Sequence, residues 1–319
     1  MSFKYLSGCL WLLGLALGCH GQAIMDTILS VNEAAGLNLK EGDIAIRPTT
    51  LGRREVHGKF KRNMVSGSNL WPKGDNGRVR VPVKLRSGSQ TLNYWRQQRP
   101  RRNALSIGLA MQRKITNVAS IFSNFSCIDF VYKTDADDKY IEFYKGDGCH
   151  ANVKMYDNGK EISLGAGCGS AKTIAHELYH ALGFYHEQSR PDRDNYLTIK
   201  LQNVKAGKEH NFDRQLTTDT HGYDYDRKSI MHYGKYSFSK NLLPTIVWTA
   251  NTLKTLGGNK LTKGDIGKLN TLYDCPATFQ RYPEVRTLED SMEELDATDN
   301  IMENILDESV LKDIGKEHQ

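Results

Sequence analysis

The stretch His176-Glu177-Leu178-Tyr179-His180 places three side chains capable of chemistry within five positions. On a helix, two histidines four residues apart leave the same face, separated by roughly 6 Å along the axis. Two neutral imidazoles so placed can reach one metal ion, and Zn²⁺ is the ion best served by such ligands. Glu177 points slightly off that face, where a carboxylate can take a proton from a water at the metal without being a ligand itself. Gly183 is the residue type that most easily adopts the left-handed conformation ending a helix. A turn there would bring His186 back as a third ligand. Two histidines on a helix, a glycine and a third histidine make an extended zinc-site signature, far rarer by chance than a lone pair of histidines.

A helix presenting such a face needs elements to hold it. Val79–Leu85 alternates apolar and basic residues, as a half-buried strand does. Residues 104–123 space Leu105, Ile107, Leu109, Ile115, Val118, Ile121 and Phe122 for a long helix packed on a sheet. Residues 128–132 and 140–144 read as further strands. After Glu187 the chain is richer in Asp, Asn, Tyr and Gly, which suits an irregular lower half. Leu261, Ile266, Leu269 and Leu272 then predict a last helix running to Cys275. The fold class is α+β.

The chain has 319 residues, 39% hydrophobic and 25% charged, as expected of a soluble globular protein. Residues 1–21, with Lys4 and an apolar core over residues 10–17, read as a signal peptide. No later run reaches membrane-spanning length, so the expected localisation is secreted and extracellular, without a membrane span. The leader takes Cys9 and Cys19 with it. Cys127, Cys149, Cys168 and Cys275 remain, and an even number in a secreted chain suggests two disulfides, with three pairings open. Asn124-Phe125-Ser126 is a glycosylation sequon in that setting. The net charge of +6 comes with no nucleic-acid-binding motif, so no nucleic-acid partner is expected. Residues 24–62 are polar and end in basic clusters at Arg53-Arg54 and residues 59–62. Residues 287–319 hold eleven acidic side chains and two lysines, a charge of −9, which leaves +15 on residues 1–286. Met292, Leu295, Met302, Ile305, Leu306 and Leu311 could line one helix face there, but a solvated, partly disordered tail is expected. No internal repeats or low-complexity stretches appear.

Residues 176–194 (HELYHALGFYHEQSRPDRD) and the later Ser229-Ile230-Met231-His232-Tyr233-Gly234-Lys235-Tyr236-Ser237-Phe238 together resemble the astacin family of zinc endopeptidases. The similarity runs from about Arg80 to Cys275. The resemblance implies a metzincin-type domain: a twisted N-terminal sheet with two long helices, an irregular C-terminal subdomain with a last helix, and the active-site cleft between them. It implies one Zn²⁺ per chain on His176, His180 and His186, Glu177 as general base, Met231 packed beneath the site, and Tyr233 as a zinc-binding phenol that swings to the oxyanion. It also implies the pairings Cys127–Cys275 and Cys149–Cys168, and a cleft-edge strand at residues 149–153. Glu41-Gly42-Asp43-Ile44 resembles the family's pro-segment motif, in which Asp43 would bind the zinc as a latency switch; Lys40 stands where the family has Phe.

By the same resemblance the chain divides into a signal peptide (1–21), a propeptide (22–62), the protease domain (63–276) and an acidic tail (277–319). Cleavage after Arg62 would free an ammonium group at Asn63 to pair with Glu187. Lys260 would stand in for the basic side chain that selects acidic residues after the scissile bond. The expected protein is a secreted, monomeric, latent zinc endopeptidase whose partners are protein or peptide substrates and an activating protease. A secreted binding protein using zinc only as a brace would have no chemical need for Glu177.

Overall fold

The protein is described here by a computed structural model covering residues 23–45, 70–86, 107–153, 160–216, 218, 220 and 222–280. The leader, the cleavage region around Asn63 and the acidic tail from residue 281 lie outside the described residues.

Val79, Val81 and Val83 point one face of β1 (Val79–Leu85) into the core. This strand runs parallel to β2 (Ile128–Tyr132) on one side and to β3 (Ile141–Tyr144) on the other. β5 (Lys160–Leu164) continues the parallel set beside β3, and β4 (Cys149–Ala151) pairs antiparallel to β5 and closes the edge. Parallel neighbours require a crossover, supplied between β1 and β2 by α2 (Leu109–Phe125). The helix expected over residues 104–123 starts at Leu109 because Gly108, extended, occupies the N-cap. Phe122 and Phe125 are fully buried on its inner face, and Phe122 meets Tyr179 of α3 (Ala171–Ala181) at 5.5 Å between ring centroids.

Ser170 caps α3 by accepting the Thr173 N–H at 3.0 Å. Every residue of α3 except Lys172 is buried. A helix buried on nearly all sides has no solvent to satisfy its polar groups, so His176, Glu177 and His180 must find partners inside the protein.

Beyond α3 the chain is irregular, as expected, but the two-stranded ribbon of β6 (Leu197–Ile199) and β7 (Ile246–Trp248) was not signalled by periodicity. The last helix, α4 (Lys263–Leu272), starts two residues later than Leu261 because Thr262 and Asp265 form a capping box. The disulfides are Cys127–Cys275 and Cys149–Cys168, the pairing implied by the resemblance. A helix in the polar N-terminal stretch was not expected: α1 (Ile24–Ala34) buries Ile24, Met25, Ile28 and Leu29 and packs against α3 and β4.

Candidate metal centre

Gly183, with φ of 105°, turns the chain out of α3, and three residues later His186 returns to the face that His176 and His180 share. The ring centroids stand 4.8 Å apart for His176–His180 and His180–His186, and 5.4 Å for His176–His186. The Nδ1–H of His176 donates to the Ile230 carbonyl at 2.9 Å, and that of His180 to the Phe184 carbonyl at 2.7 Å. Both bonds fix the tautomer that leaves Nε2 with its lone pair facing the centre. The Nδ1 of His186 lies 2.9 Å from a Glu41 carboxylate oxygen.

Asp43 sits between the three rings. One oxygen is 3.0 Å from His176 Nε2 and 3.2 Å from His186 Nε2; the other is 3.4 Å from His180 Nε2. One ligand atom from each of Asp43, His176, His180 and His186 lies within 4.8 Å of every other, a group that could hold one metal ion. His180 Nε2 and Asp43 Oδ1 are buried and have no hydrogen-bond partner among the described residues, as expected of atoms that serve a metal. Burial pushes the Asp43 carboxyl up, but His186 and His180 outweigh it and hold it well below the usual carboxylate range. Burial also lowers His176, to about 4, keeping it neutral. For His186, Asp43 and Glu41 overcome burial and raise the ring to about 9.

Glu177 is buried beside this group, and neither of its oxygens accepts a hydrogen bond from the described residues. Burial, then the Asp43 charge, pushes it well above the ordinary range. Tyr233 is also buried and donates its hydroxyl to the Glu41 carbonyl, turned toward residues 41–43. Met231 is buried, and its carbonyl accepts the Glu187 N–H at 2.8 Å. Glu187 is buried, and its carboxylate accepts from Lys268 Nζ at 2.6 Å and Arg190 Nη1 at 2.9 Å. Asn63, its expected partner after cleavage, lies outside the described residues. Lys260 stands exposed before Leu261 and does not belong to the Asp43–histidine group; Asn124 is exposed on α2.

The segment bearing Asp43 is seated at several points. Asp43 O accepts from the Ala151 N–H at 3.1 Å and the Ala45 N–H donates to Ala151 O at 2.9 Å, a parallel bridge on the edge strand β4. Asn32 of α1 donates to Gly42 O at 2.9 Å and Cys149 O at 2.6 Å, and accepts the Cys149 N–H at 2.7 Å. Gly42, with φ of 81°, has no room for a Cβ, which would stand 2.2 Å from Leu29.

Sequence reading missed two supports. Asp265 accepts from Ser229 Oγ and the Ile230 N–H, fastening the turn whose Ile230 carbonyl orients His176; the Thr262-to-Asp265 spacing of a capping box was its signal. Lys160 Nζ and Trp71 Nε1–H both donate to Ala181 O at the end of α3, at 2.6 and 3.1 Å. A lysine in a strand gives no hint of that. Tyr273 OH donates to the next carbonyl, Leu182 O, at 2.9 Å.

Residues 90–274 match the family model Astacin, which describes a family of peptidases. The chain is 36% identical over 226 residues to zinc metalloproteinase nas-15 of Caenorhabditis elegans, covering 70% of this chain and 36% of that protein. It is 33% identical over 258 residues to meprin A subunit beta of Rattus norvegicus, covering 79% and 32%. It thus spans about a third of the length of these curated relatives. High choriolytic enzyme 1, a hatching-enzyme zinc protease from Oryzias latipes, aligns in structure with a TM-score of 0.58 at 30% identity, over 66% of this chain and 98% of that one. A signature of three histidines around one metal-sized centre, on a fold and a sequence shared with these proteases, makes this chain a member of the astacin family of zinc metallopeptidases.

Proposed function

We propose that the protein is a secreted zinc endopeptidase, held latent by residues 22–62 until a second protease cuts after Arg62, and that the mature domain works as a monomer on protein or peptide substrates. His176, His180 and His186 would hold the ion. Bound there, Zn²⁺ supplies Lewis acidity and lowers the pKa of a water toward neutrality. Glu177 takes a proton from the attacking water and passes it to the leaving amine. Its raised pKa and free oxygens suit a group that must hold that proton between the two transfers. When residues 41–43 leave, Tyr233 loses its bond to Glu41 O, and its hydroxyl becomes a donor for the oxyanion, a contact typically worth about 3 kcal/mol. The Ala151 N–H and C=O, now occupied by residues 43 and 45, are freed to receive a substrate strand. Asp43 is the latency switch, and Lys260 is retained as a candidate selector of acidic residues after the scissile bond.

The convergence of three Nε2 atoms on Asp43, beside a buried carboxylate with no other duty, favours hydrolysis over a purely bracing metal. The test is hydrolysis of an unfolded protein by the chain cut after Arg62, with and without a zinc chelator, alongside Glu177→Ala. Cleavage that the chelator abolishes and the variant lacks is expected. Absence of cleavage by folded, zinc-loaded, cut protein would overturn the proposal.

A further inference from the structure

Although no repeat was expected, a short one is present. Ile24-Met25-Asp26-Thr27-Ile28-Leu29 opens α1, and Ile301-Met302-Glu303-Asn304-Ile305-Leu306 recurs in the acidic tail. The match follows burial. The four identical positions are those α1 buries, Ile24, Met25, Ile28 and Leu29, at 9%, 0%, 0% and 7% exposure. The acidic position keeps its charge in both copies: Asp26 accepts from Ser237 Oγ at 3.0 Å, and Glu303 stands at its place in the tail. The one dissimilar position, Thr27 against Asn304, faces solvent in α1.

The seat that receives this pattern is cut close to its occupant. A Cβ on Gly234 would stand 2.2 Å from the Asp26 carboxylate, and one on Gly257 would stand 2.5 Å from Ala23 Cβ. The Ile24 N–H donates to Gly258 O at 2.9 Å. When α1 departs with residues 22–62, an apolar groove with a backbone acceptor and a serine donor remains, shaped for an amphipathic helix.

We propose that this seat is then taken by residues 301–306 of the same chain, so that the tail replaces the propeptide helix on the mature enzyme. This rests on the removal of residues 22–62 proposed above. Reach does not limit it: the 21 residues from Gln280 to Ile301 can span up to about 70 Å. Charge favours it, since the tail carries −9 against +15 on the remainder, of which residues 63–286 hold +12. The replacement is partial. In the register set by Ile24 and Ile301, Ser309 stands at the place of Asn32, so the three-bond clamp on Gly42 and Cys149 is not reproduced. The tail therefore occupies the seat while leaving the zinc cleft open.

The test pairs Ser237→Cys with Glu303→Cys in the full chain and follows disulfide formation on mild oxidation before and after cutting at Arg62. Asp26→Cys with Ser237→Cys marks the seat in the uncut chain. The Glu303 pair should form only after cutting. Its yield should exceed that of Asn304→Cys with Ser237→Cys by about tenfold, because position 303 takes the place of Asp26 beside Ser237 while position 304 takes that of solvent-facing Thr27. Mass spectrometry shows whether residues 22–62 have left. Their release without a Glu303 crosslink, or equal yields for positions 303 and 304, overturns the tail's docking alone. Their retention with no crosslink overturns the propeptide reading and the inference with it.

Discussion

Asn32→Ala should release residues 41–45 from the Asp43–histidine group while leaving the rest of the fold intact. The side chain is 2% exposed and makes three hydrogen bonds, to Gly42 O, Cys149 O and the Cys149 N–H. Each bond contributes about 1 kcal/mol net, and truncation also leaves buried backbone groups without partners. Together this amounts to roughly 3–4 kcal/mol, a factor of about 10²–10³ in the equilibrium between seated and open segment. Cys149 itself stays anchored through Cys168 and its pairing in β4, so the sheet keeps its geometry. Hydrogen exchange read by mass spectrometry reports the change directly. The amides of Ile44 and Ala45, which donate to Lys40 O and Ala151 O, should lose most of their protection. Those of Val79 and Lys133, which donate to Cys127 O and Val83 O, should keep theirs. Glu33→Ala is the control, since its bond to Lys205 is exposed and contributes at most about 1 kcal/mol. Unchanged exchange at residues 44–45, or equal loosening of the β1–β2 amides, would refute the clamp.

Asp43→Ala removes the carboxylate that anchors the segment among the histidines and so lets residues 41–45 leave the site more often; uncut protein should hydrolyse an unfolded protein measurably above the uncut wild type, and no gain would count against the proposed latency role. Burial pushes Lys160 down to about 7 in the folded chain against 10.5 ordinarily, so the unfolded chain binds more protons between those values and wild-type stability should climb with pH there, by up to about 1.4 kcal/mol per unit. Lys160→Met should lack that component, and denaturant midpoints at pH 7 and 9.5 for both proteins measure the difference. Asp265→Ala unties Ser229 and Ile230 from α4 and so loosens His176; zinc affinity measured by competition with a chromophoric chelator should fall about 10–100-fold while helix content by circular dichroism holds.

What could be read in advance divides along the range of the interaction. His176, Glu177, His180, Gly183 and His186 lie within eleven positions, and one helix with one left-handed glycine brings them together, so local geometry was enough. Val79–Leu85 and the hydrophobic spacing of α2 were legible for the same reason. The two cations at Glu187 were not legible because they come from different distances: Arg190 is three residues away, and Lys268 arrives from α4. Periodicity cannot report such a pairing. Helix α1 was hidden by the polar residues around its four buried apolar positions, although Ile24, Met25, Ile28 and Leu29 fall on one helical stripe.

The same contrast bears on the proposed latency, which could be lifted while the histidine geometry stays in place. The metal-facing tautomers of His176 and His180 are fixed by carbonyls of Ile230 and Phe184, within the body itself. The contacts that close the cleft instead come from residues 23–45: Asn32 to Cys149, Asp43 and Ala45 to Ala151, Glu41 to His186 and Tyr233. The proposed removal of that segment would leave the two carbonyl-fixed histidines in place and free Cys149, Ala151 and the Tyr233 hydroxyl. His186 is the exception, because its Nδ1 partner is Glu41 and departs with the segment. On the proposed maturation, the third ligand would thus be the one whose orientation another acceptor must take over.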